Sequence, residues 1–280
     1  MQLARRNFLK RFGYGVMGTG AMAGGTFAYG TRLETEWLKL ERIEIPFERL
    51  DPALERFRIA LLSDFHLFPN TRIELIRRAV EMANSVKPDL VAMVGDFVQR
   101  DVEAIFELAP VLAGLDAKYG VFSTLGNHDH WKGAERVIEG LARSGLTVFQ
   151  NRGVALEVGS SLLYVAGVDD GWVGREDLAA ALDARPENAF TLVLMHEPDF
   201  ADQFSRDGRI HLQLSGHSHG GQVRFPLIGS PFLPPYGEKY DQGFYRVGDL
   251  RLYTTRGVGV TAPIRINCRP EVTEITLVRA

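Results

Sequence analysis

Short apolar runs alternate along the chain with segments in which apolar residues recur at helical spacing. Phe57–Leu62 and Leu90–Val94 are almost entirely apolar, as buried strands are. Between them, apolar side chains from Ile73 to Ala83 recur every three or four positions, which predicts an amphipathic helix. Together the three segments predict a β-α-β unit, the building block of an α/β fold with parallel strands.

The same alternation continues to the end of the chain. Further strands are predicted at Leu40–Phe47, Val121–Leu125, Val154–Val158, Leu162–Ala166, Thr191–Met195, Ile210–Leu214, Gly243–Val247, Leu250–Thr255 and Val272–Val278, and further helices near Val102–Leu112, Ala134–Ala142 and Asp177–Leu182. This order indicates an α/β domain with one mixed sheet, or with two sheets sandwiched between helices. No repeat or second boundary interrupts residues 31–280, so one domain is predicted, with one long irregular loop at Phe225–Gln242.

Composition narrows the possible functions. The 280 residues are 45% hydrophobic and 24% charged, which excludes disordered, collagen-like and coiled-coil proteins. A formal net charge of -3 provides no basic field for binding a nucleic-acid backbone, so no nucleic acid is expected as a partner. The single cysteine, Cys268, excludes an internal disulfide framework and a cysteine-rich metal site. Any metal chemistry therefore depends on carboxylates, amides and the seven histidines.

The first thirty residues differ from the rest of the chain. Four basic residues and no acidic one fall among them, and the Arg5-Arg6 pair is followed by an uncharged, glycine-rich stretch from Phe12 to Gly30. This segment resembles a twin-arginine export signal, and the alternative is a basic arm that is disordered or lies on a membrane surface. We expect residues 1–30 to be a signal or anchor recognised by the twin-arginine translocase. The protein would then be exported to the periplasm, to the outer side of the inner membrane or to the cell wall. Cleavage near Ala21-Met22-Ala23 and retention as an anchor both stay open.

Polar clusters follow five of the apolar runs, at the point where each predicted strand ends. They are Asp64-Phe65-His66, Gly95-Asp96, Gly126-Asn127-His128-Asp129, His196 and Gly216-His217-Ser218-His219. Taken singly, each fits an ordinary turn or a hydrogen-bonded histidine. Strand ends meet at one edge of an α/β sheet, however, and carboxylates and imidazoles crowded there would be costly without a cation. The five clusters together predict a site for divalent metal ions.

At these residues the sequence resembles the calcineurin-like metallophosphoesterases, whose five motifs all occur here in order. The resemblance implies a four-layer α/β sandwich of two mixed β-sheets flanked by helices. It also implies two divalent metal ions that share Asp96. One would be held by Asp64, His66, Asp96 and His219, and the other by Asp96, Asn127, His196 and His217. Oxygen and imidazole ligands without thiolate suit Mn²⁺, Fe²⁺ or Zn²⁺, of which we favour Mn²⁺.

The resemblance also implies a reaction. The protein would be a dinuclear metal-dependent phosphoester hydrolase, most simply a phosphodiesterase. A hydroxide that bridges the metals would attack phosphorus in line with the leaving group. By the same resemblance His128 is not a ligand: it would assist the leaving-group oxygen, and Asp129 would orient and charge its imidazole.

Two other functions stay open at this point. One is a pyrophosphatase of UDP-2,3-diacylglucosamine, which acts on a lipid-linked substrate but in the cytoplasm, whereas the N-terminal segment indicates export. The other is an exported metal-binding protein without turnover. Intact His128 and Asp129 argue against the second, because metal storage needs no group at the leaving oxygen.

The C-terminal half extends the likeness to the exported, twin-arginine phosphodiesterase branch of the family. The segments that carry it are Gly216–Gln222, Thr254–Gly259 and Arg265–Thr273. One departure is Phe97–Arg100, where many family members have a second acidic residue after Gly-Asp. Gly257 and Gly259 indicate a turn near the site, so Arg256 is predicted to bind a substrate phosphate.

Two weaker expectations concern the surroundings of the site. His130 is predicted to be a solvated loop histidine. The aromatic and aliphatic side chains of the loop Phe225–Tyr240 are expected to pack down on the core, since cover loops of soluble domains usually do. If that loop faces outward instead, a lipid-linked phosphodiester becomes a candidate substrate.

Overall fold

Two six-stranded mixed sheets form the centre of the fold in the computed structural model, which describes residues 24–280. The first sheet has the order β1-β12-β2-β3-β4-β5. Its strands are β1 (Lys39–Phe47), β2 (Arg58–Leu62), β3 (Leu90–Val94), β4 (Val121–Thr124), β5 (Thr147–Val148) and β12 (Glu271–Arg279). All neighbours in this sheet are parallel except β12 and β2.

The second sheet has the order β10-β11-β9-β8-β7-β6. Its strands are β6 (Arg152–Val158), β7 (Ser161–Gly167), β8 (Phe190–Leu194), β9 (Leu212–Ser215), β10 (Gly243–Val247) and β11 (Leu250–Thr254). The four central strands run parallel, and each edge strand is antiparallel to its neighbour.

Helices cover the outer faces of both sheets. They are α1 (residues 24–32), α2 (Ile73–Ser85), α3 (Ile105–Leu112), α4 (Asn127–Arg143, with a break at Gly133), α5 (Leu178–Ala181) and α6 (Ala201–Phe204). Short 3-10 turns lie at Glu34–Glu36, Pro52–Leu54, Val102–Ala104, Pro198–Phe200 and His219–Gly221. Within residues 24–280, no helix has the length and apolar character needed to cross a membrane.

Three apolar clusters hold these layers together. One lies between the sheets and includes Ile59 and Leu61 of the first and Leu192 and Leu212 of the second, all fully buried. A second joins the first sheet to α2, α3 and α4, and a third joins the other sheet to α5 and α6. The central strands such as β2, β3 and β8 are buried on both faces, which is why their sequences are continuous apolar runs. The predicted four-layer α/β sandwich in a single domain is confirmed.

Every strand and helix predicted from the sequence forms, with some changes at the boundaries. The helix expected from Ala134 starts earlier, at Asn127, because the polar first turn has no apolar repeat by which to recognise it. Strand β5 and helix α6 were missed, since elements of two and four residues are too short to show a period. The twin-arginine pair and the residues around it lie outside the described residues.

The described residues include the last part of the predicted N-terminal segment, residues 24–30. These residues belong to helix α1, and the Gly30 carbonyl accepts a hydrogen bond of 2.9 Å from the backbone N–H of Arg265. A Cβ on Gly30 would lie only 2.8 Å from the Arg265 carbonyl oxygen. The described end of the N-terminal segment is therefore in close contact with the domain.

Candidate metal centre

The polar clusters converge where the carboxyl ends of both sheets meet. Asp64 and His66 follow β2, Asp96 follows β3, and Asn127 opens α4 directly after β4. From the second sheet, His196 follows β8, and His217 and His219 follow β9. All seven side chains are buried or nearly so.

The Asp96 carboxylate lies at the centre of this group. Its Oδ2 is 3.3 Å from Nε2 of His66 and 3.3 Å from Nε2 of His196. Asp64 lies on one side, with Oδ1 3.3 Å from Nε2 of His219. The ligand atoms of Asp64, His66 and His219 lie within 4.8 Å of one another, as do those of Asp64, Asp96 and His196.

Several atoms at this centre that could bind a metal make no hydrogen bond to the described residues. Asn127 Oδ1 is buried and accepts no hydrogen bond from any described residue, and buried His196 Nε2 makes none either, although Asp96 Oδ2 lies 3.3 Å away. Nε2 of His66 lies only 2.9 Å from Nε2 of His219. Leaving such atoms unsatisfied in the interior is costly, and a divalent cation would satisfy them. The residues present therefore fit divalent ions with mixed oxygen and nitrogen ligands.

His217 is placed differently from the other histidines. Its ring lies edge-on to that of His196, with centroids 4.9 Å apart, but it falls outside the groups of converging ligand atoms. Nε2 of His217 is 2.9 Å from the carbonyl oxygen of Pro235. Because Nε2 is used by the Pro235 carbonyl, only Nδ1 of His217 is free to bind an ion. The Pro235 carbonyl would thus determine which ring nitrogen of His217 is the metal ligand.

Protonation at the centre follows from burial and from the neighbouring charges. Burial raises the pKa of Asp64 to about 7 and lowers the pKa of His66 and His217 to about 3. Burial alone would also raise the pKa of Asp96, but the imidazoles of His196 and His66 outweigh it and hold that pKa well below its usual value. Two buried rings are thus neutral and able to bind a metal at physiological pH.

The backbone carries strain at these residues. Five of them have a positive backbone φ, which residues other than glycine rarely adopt. They are Asp64 (54°), His66 (43°), Asp96 (56°), His217 (70°) and His219 (52°). Such strain persists only where the surrounding structure enforces it, and it is concentrated at functional sites. Here it lets the chain turn sharply at the strand ends and direct successive polar side chains into one centre.

At two positions of the motifs, neighbouring residues lie so close to the backbone that only glycine fits. A Cβ on Gly126 would lie 2.4 Å from Asp96 Oδ1 and 2.8 Å from His196 Nε2. A Cβ on Gly216 would lie 2.1 Å from the hydroxyl of Ser63 and 2.4 Å from Asp64 Oδ2. Any side chain at either position would displace a residue of the centre.

The position of Asp129 corrects the prediction that it orients His128. Its carboxylate accepts hydrogen bonds from the backbone N–H groups of Asp96 and Gly126 through Oδ2, at 2.9 and 3.0 Å. Oδ1 accepts from Phe97 and Val98, at 2.9 and 3.3 Å. Three of the hydrogen bonds described for this carboxylate therefore hold the strained turn that carries Asp96, and the fourth, from Gly126, caps the start of α4.

Asp129→Asn is expected to destabilise this turn. The amide would present N–H donors to backbone N–H donors, and unsatisfied buried groups cost about 1–3 kcal/mol each. We expect the free energy of unfolding to fall by at least about 2 kcal/mol, together with a loss of metal affinity. Chemical denaturation and metal titration measure both. Unchanged stability and metal affinity with an altered pH profile of turnover would instead favour the role predicted from the sequence.

His128 lies at the edge of the centre and is half-buried. Its backbone N–H donates to Asp96 Oδ1 at 2.9 Å, and its ring meets that of His66 edge-on at 4.7 Å. Nδ1 of His128 has no hydrogen-bond partner among the described residues. The ring lines a cavity of about 520 Å³ that also contains Asp96 and Asn127.

The outer wall of this cavity is mainly apolar. Its apolar lining residues are Trp131, Trp172, Val223, Phe232, Leu233, Pro234, Ala262 and Ile264. Trp131 and Trp172 are in edge-to-face contact, with centroids 5.0 Å apart, and Trp172 also meets His217. Neither tryptophan was identified from the sequence, because neither follows a strand within a polar cluster.

Arg256 does not reach the cavity, contrary to the prediction. Its guanidinium binds the carboxylates of Glu41 and Glu271. The turn beside it is near the site as expected: the Gly259 N–H donates to the Asp64 carbonyl at 2.7 Å. Arg265 holds this turn from inside, because its buried guanidinium donates to the carbonyls of Arg256 and Gly259 at 2.7 and 2.6 Å.

His130 is a paired residue and not the solvated loop histidine expected. Its Nε2 is 2.7 Å from Asp169 Oδ1, and both side chains are nearly buried. Burial pulls the pKa of His130 down, but the Asp169 carboxylate outweighs this and raises it above its usual value. Asp169 and Asp170 follow strand β7, so the rule that identified the five clusters could have identified them too.

Glu197 connects this acidic segment to the cavity wall. Its buried carboxylate accepts a hydrogen bond of 2.9 Å from the backbone N–H of Trp172. Because Glu197 directly follows His196, this bond links the position of the tryptophan to the strand end that carries a predicted metal ligand.

Fold and centre together define a metallophosphoesterase, and comparison with known proteins agrees. The sequence model of the calcineurin-like phosphoesterase family matches residues 57–221, so the chain belongs to this family. The chain is 35% identical to phosphodiesterase YaeI of Escherichia coli (strain K12), over 99% of this chain and 100% of that protein.

Two further relatives match over most of their length. The uncharacterized metallophosphoesterase YkuE of Bacillus subtilis (strain 168) is 33% identical over 99% of this chain and 98% of that protein. A metallophosphoesterase of Aquifex aeolicus (strain VF5) is 30% identical over 88% of this chain and 94% of that protein. The chain is therefore a phosphoesterase-family hydrolase with residue clusters suited to divalent metals.

Proposed function

We propose that this protein is a dinuclear metal-dependent phosphodiesterase. The observation that carries the proposal is the pair of buried, unsatisfied donor atoms, Asn127 Oδ1 and His196 Nε2, beside the shared carboxylate of Asp96. A phosphodiesterase among the relatives that match over their full length supports the reaction class.

In this proposal the ligands form two sets that share Asp96. Asp64, His66, Asp96 and His219 would hold one ion, and Asp96, Asn127, His196 and His217 the other. When bound, two divalent ions acidify a water molecule and neutralise charge on the phosphoryl oxygens. The imidazole and oxygen ligands suit Mn²⁺, Fe²⁺ or Zn²⁺, and we propose Mn²⁺.

His128 would serve the leaving group. Hydrolysis adds a water oxygen to phosphorus, breaks one ester P–O bond and delivers a proton to the departing oxygen. The His128 ring lines the cavity beside Asp96 and has an unpartnered nitrogen, so it can present an N–H to that oxygen. Trp131 and Trp172 would flank the substrate next to it.

Export to the outer side of the membrane is also proposed. The Arg5-Arg6 pair and the uncharged stretch behind it support recognition by the twin-arginine translocase. This route carries folded proteins, which suits an enzyme that acquires its metals before export. The protein would then act in the periplasm, in the cell wall or on the outer side of the inner membrane.

Activity is expected to depend on metal. The purified protein supplied with Mn²⁺ should hydrolyse bis-p-nitrophenyl phosphate, and a chelator should reduce the rate to the uncatalysed level. Re-addition of Mn²⁺ should restore the rate, and metal analysis should find about two ions per chain. Full activity after the chelator has removed all metal would overturn the proposal.

A further inference from the structure

The loop at the mouth of the cavity has an unusual surface. Residues 225–237, here called the rim loop, contain no charged side chain. Their apolar side chains point outward: Leu227 is 108% exposed, Ile228 79% and Phe232 76%. The expectation that this loop packs on the core is therefore wrong for its tip. Exposed apolar groups of this size within one loop indicate a contact with something apolar.

The rim loop belongs to the wall of the catalytic cavity. Phe232, Leu233 and Pro234 line it on one side, and Trp131 and Trp172 also line it. Leu227 and Ile228 do not line the cavity and extend the apolar surface beyond it. A molecule that enters from the rim loop would reach Asp96 and His128 along apolar side chains.

Helix α1 lies beside the same loop. The backbone N–H of Arg224 donates to the carbonyl of Ile266 at 2.9 Å, which joins the start of the rim loop to segment 264–266. Gly30 of α1 packs so closely against that segment that a Cβ at this position would lie 2.8 Å from Ile266 Cγ1. Phe27 of α1 and Leu33, the residue that follows the helix, are both largely exposed, as the tip of the rim loop is.

The sequence that precedes α1 has the same uncharged character. Residues 12–31, which include most of α1, contain no charged side chain, and basic residues precede them. An uncharged apolar segment preceded by arginines and lysine is suited to a lipid surface. Helix α1, whose residues 24–31 carry no charge, therefore lies beside the segment that joins the start of the exposed rim loop.

We propose that this face, formed by α1 and the rim loop, docks on a lipid bilayer and that the cavity receives phosphodiesters with one long apolar arm from it. The substrate part rests on the proposed phosphodiesterase function, whereas the docking part does not. A bilayer fits better than a protein partner, because the tip offers aliphatic groups and no charge or salt-bridge partner for specific recognition.

Fluorescent labelling tests docking independently of activity. Cys268 is buried, so a cysteine introduced by Leu227→Cys can be labelled selectively with an environment-sensitive fluorophore. The matched control is Ser160→Cys, in the exposed β6–β7 turn at the opposite end of the second sheet. With vesicles of phosphatidylcholine and phosphatidylglycerol, we expect a blue shift and quenching by brominated lipid for the label at residue 227 only.

Two outcomes would overturn docking. One is unchanged fluorescence of the label at residue 227 although the full chain sediments with the vesicles, because the rim loop would then face away from the membrane. The other is no sedimentation with vesicles at all, which would favour a protein partner for the loop.

A pair of substrates tests access to the cavity. Ethyl and hexadecyl p-nitrophenyl phosphate share a leaving group and differ only in the apolar arm. We expect the wild-type chain to have a higher kcat/KM for the hexadecyl ester in vesicles. Leu227→Asp with Ile228→Asp should reduce that value by about tenfold or more and leave hydrolysis of the ethyl ester unchanged.

The control adds the same charge elsewhere. Ser160→Asp with Asn188→Asp places two carboxylates at the opposite end of the second sheet, where both positions are exposed. Equal losses in both double variants, or no preference for the hexadecyl ester in the wild type, would overturn the substrate part. If neither ester is hydrolysed but the residue 227 label enters the bilayer, the proposed function fails and docking stands.

Discussion

Asp96→Asn is expected to abolish metal binding and hydrolysis together. The Asp96 carboxylate lies 3.3 Å from Nε2 of both His66 and His196, so in the proposed centre it would be a ligand common to both sets. An amide lacks the negative charge and has only one oxygen, which leaves the imidazoles and Asn127 without a shared anion. Removing a group that only hydrogen-bonds to a metal ligand lowers metal affinity or activity by about 10–100-fold. Removing the Asp96 carboxylate, a ligand in both proposed sets, should therefore lower them by more than about a hundredfold.

Metal analysis and the rate with bis-p-nitrophenyl phosphate measure this effect. The matched control is Asp249→Asn, the same change at an exposed position in the β10–β11 turn, far from the strand ends that carry the site. It should behave as the wild type. An Asp96→Asn variant that keeps two ions and near-normal turnover would contradict the proposed dinuclear centre.

His128→Ala is expected to lower turnover while leaving the metal content near that of the wild type. The His128 ring lines the cavity, and the proposed ligand sets do not use it. Removal of one acid-base group costs about 10²–10⁴-fold in rate. The loss should grow as the leaving group becomes poorer, because a less stable oxyanion gains more from a proton. A series of substituted phenyl phosphodiesters measures that trend.

The structure also offers a competing role for His128. Its ring nitrogen belongs to a group of converging atoms with His66 and Asp96, so it could bind a metal instead. Loss of about one ion per chain in His128→Ala, with equal rate losses for good and poor leaving groups, would show that role and refute leaving-group assistance.

Asp129 shows where prediction from the sequence reached its limit. Its adjacency to His128 suggested that it acts on that ring. In the structure, three of the backbone groups that it binds lie more than thirty positions earlier in the chain, in the turn after β3. Arg256 shows the same limit, because it binds Glu41, 215 positions away. The hydrogen-bond partners of Asp129 and Arg256 therefore depend on how distant segments of the chain pack together.

The sequence was enough to predict the α/β class, nearly all of the strands and helices, and the polar clusters that meet at the centre. It could do so because burial on both faces makes a strand continuously apolar, and because parallel strands bring their carboxyl ends to one edge. The folded structure was needed to show which carboxylate supports which loop, which histidine is paired, and that the rim loop points outward. Those properties depend on contacts between distant segments, and no local pattern of residues encodes them.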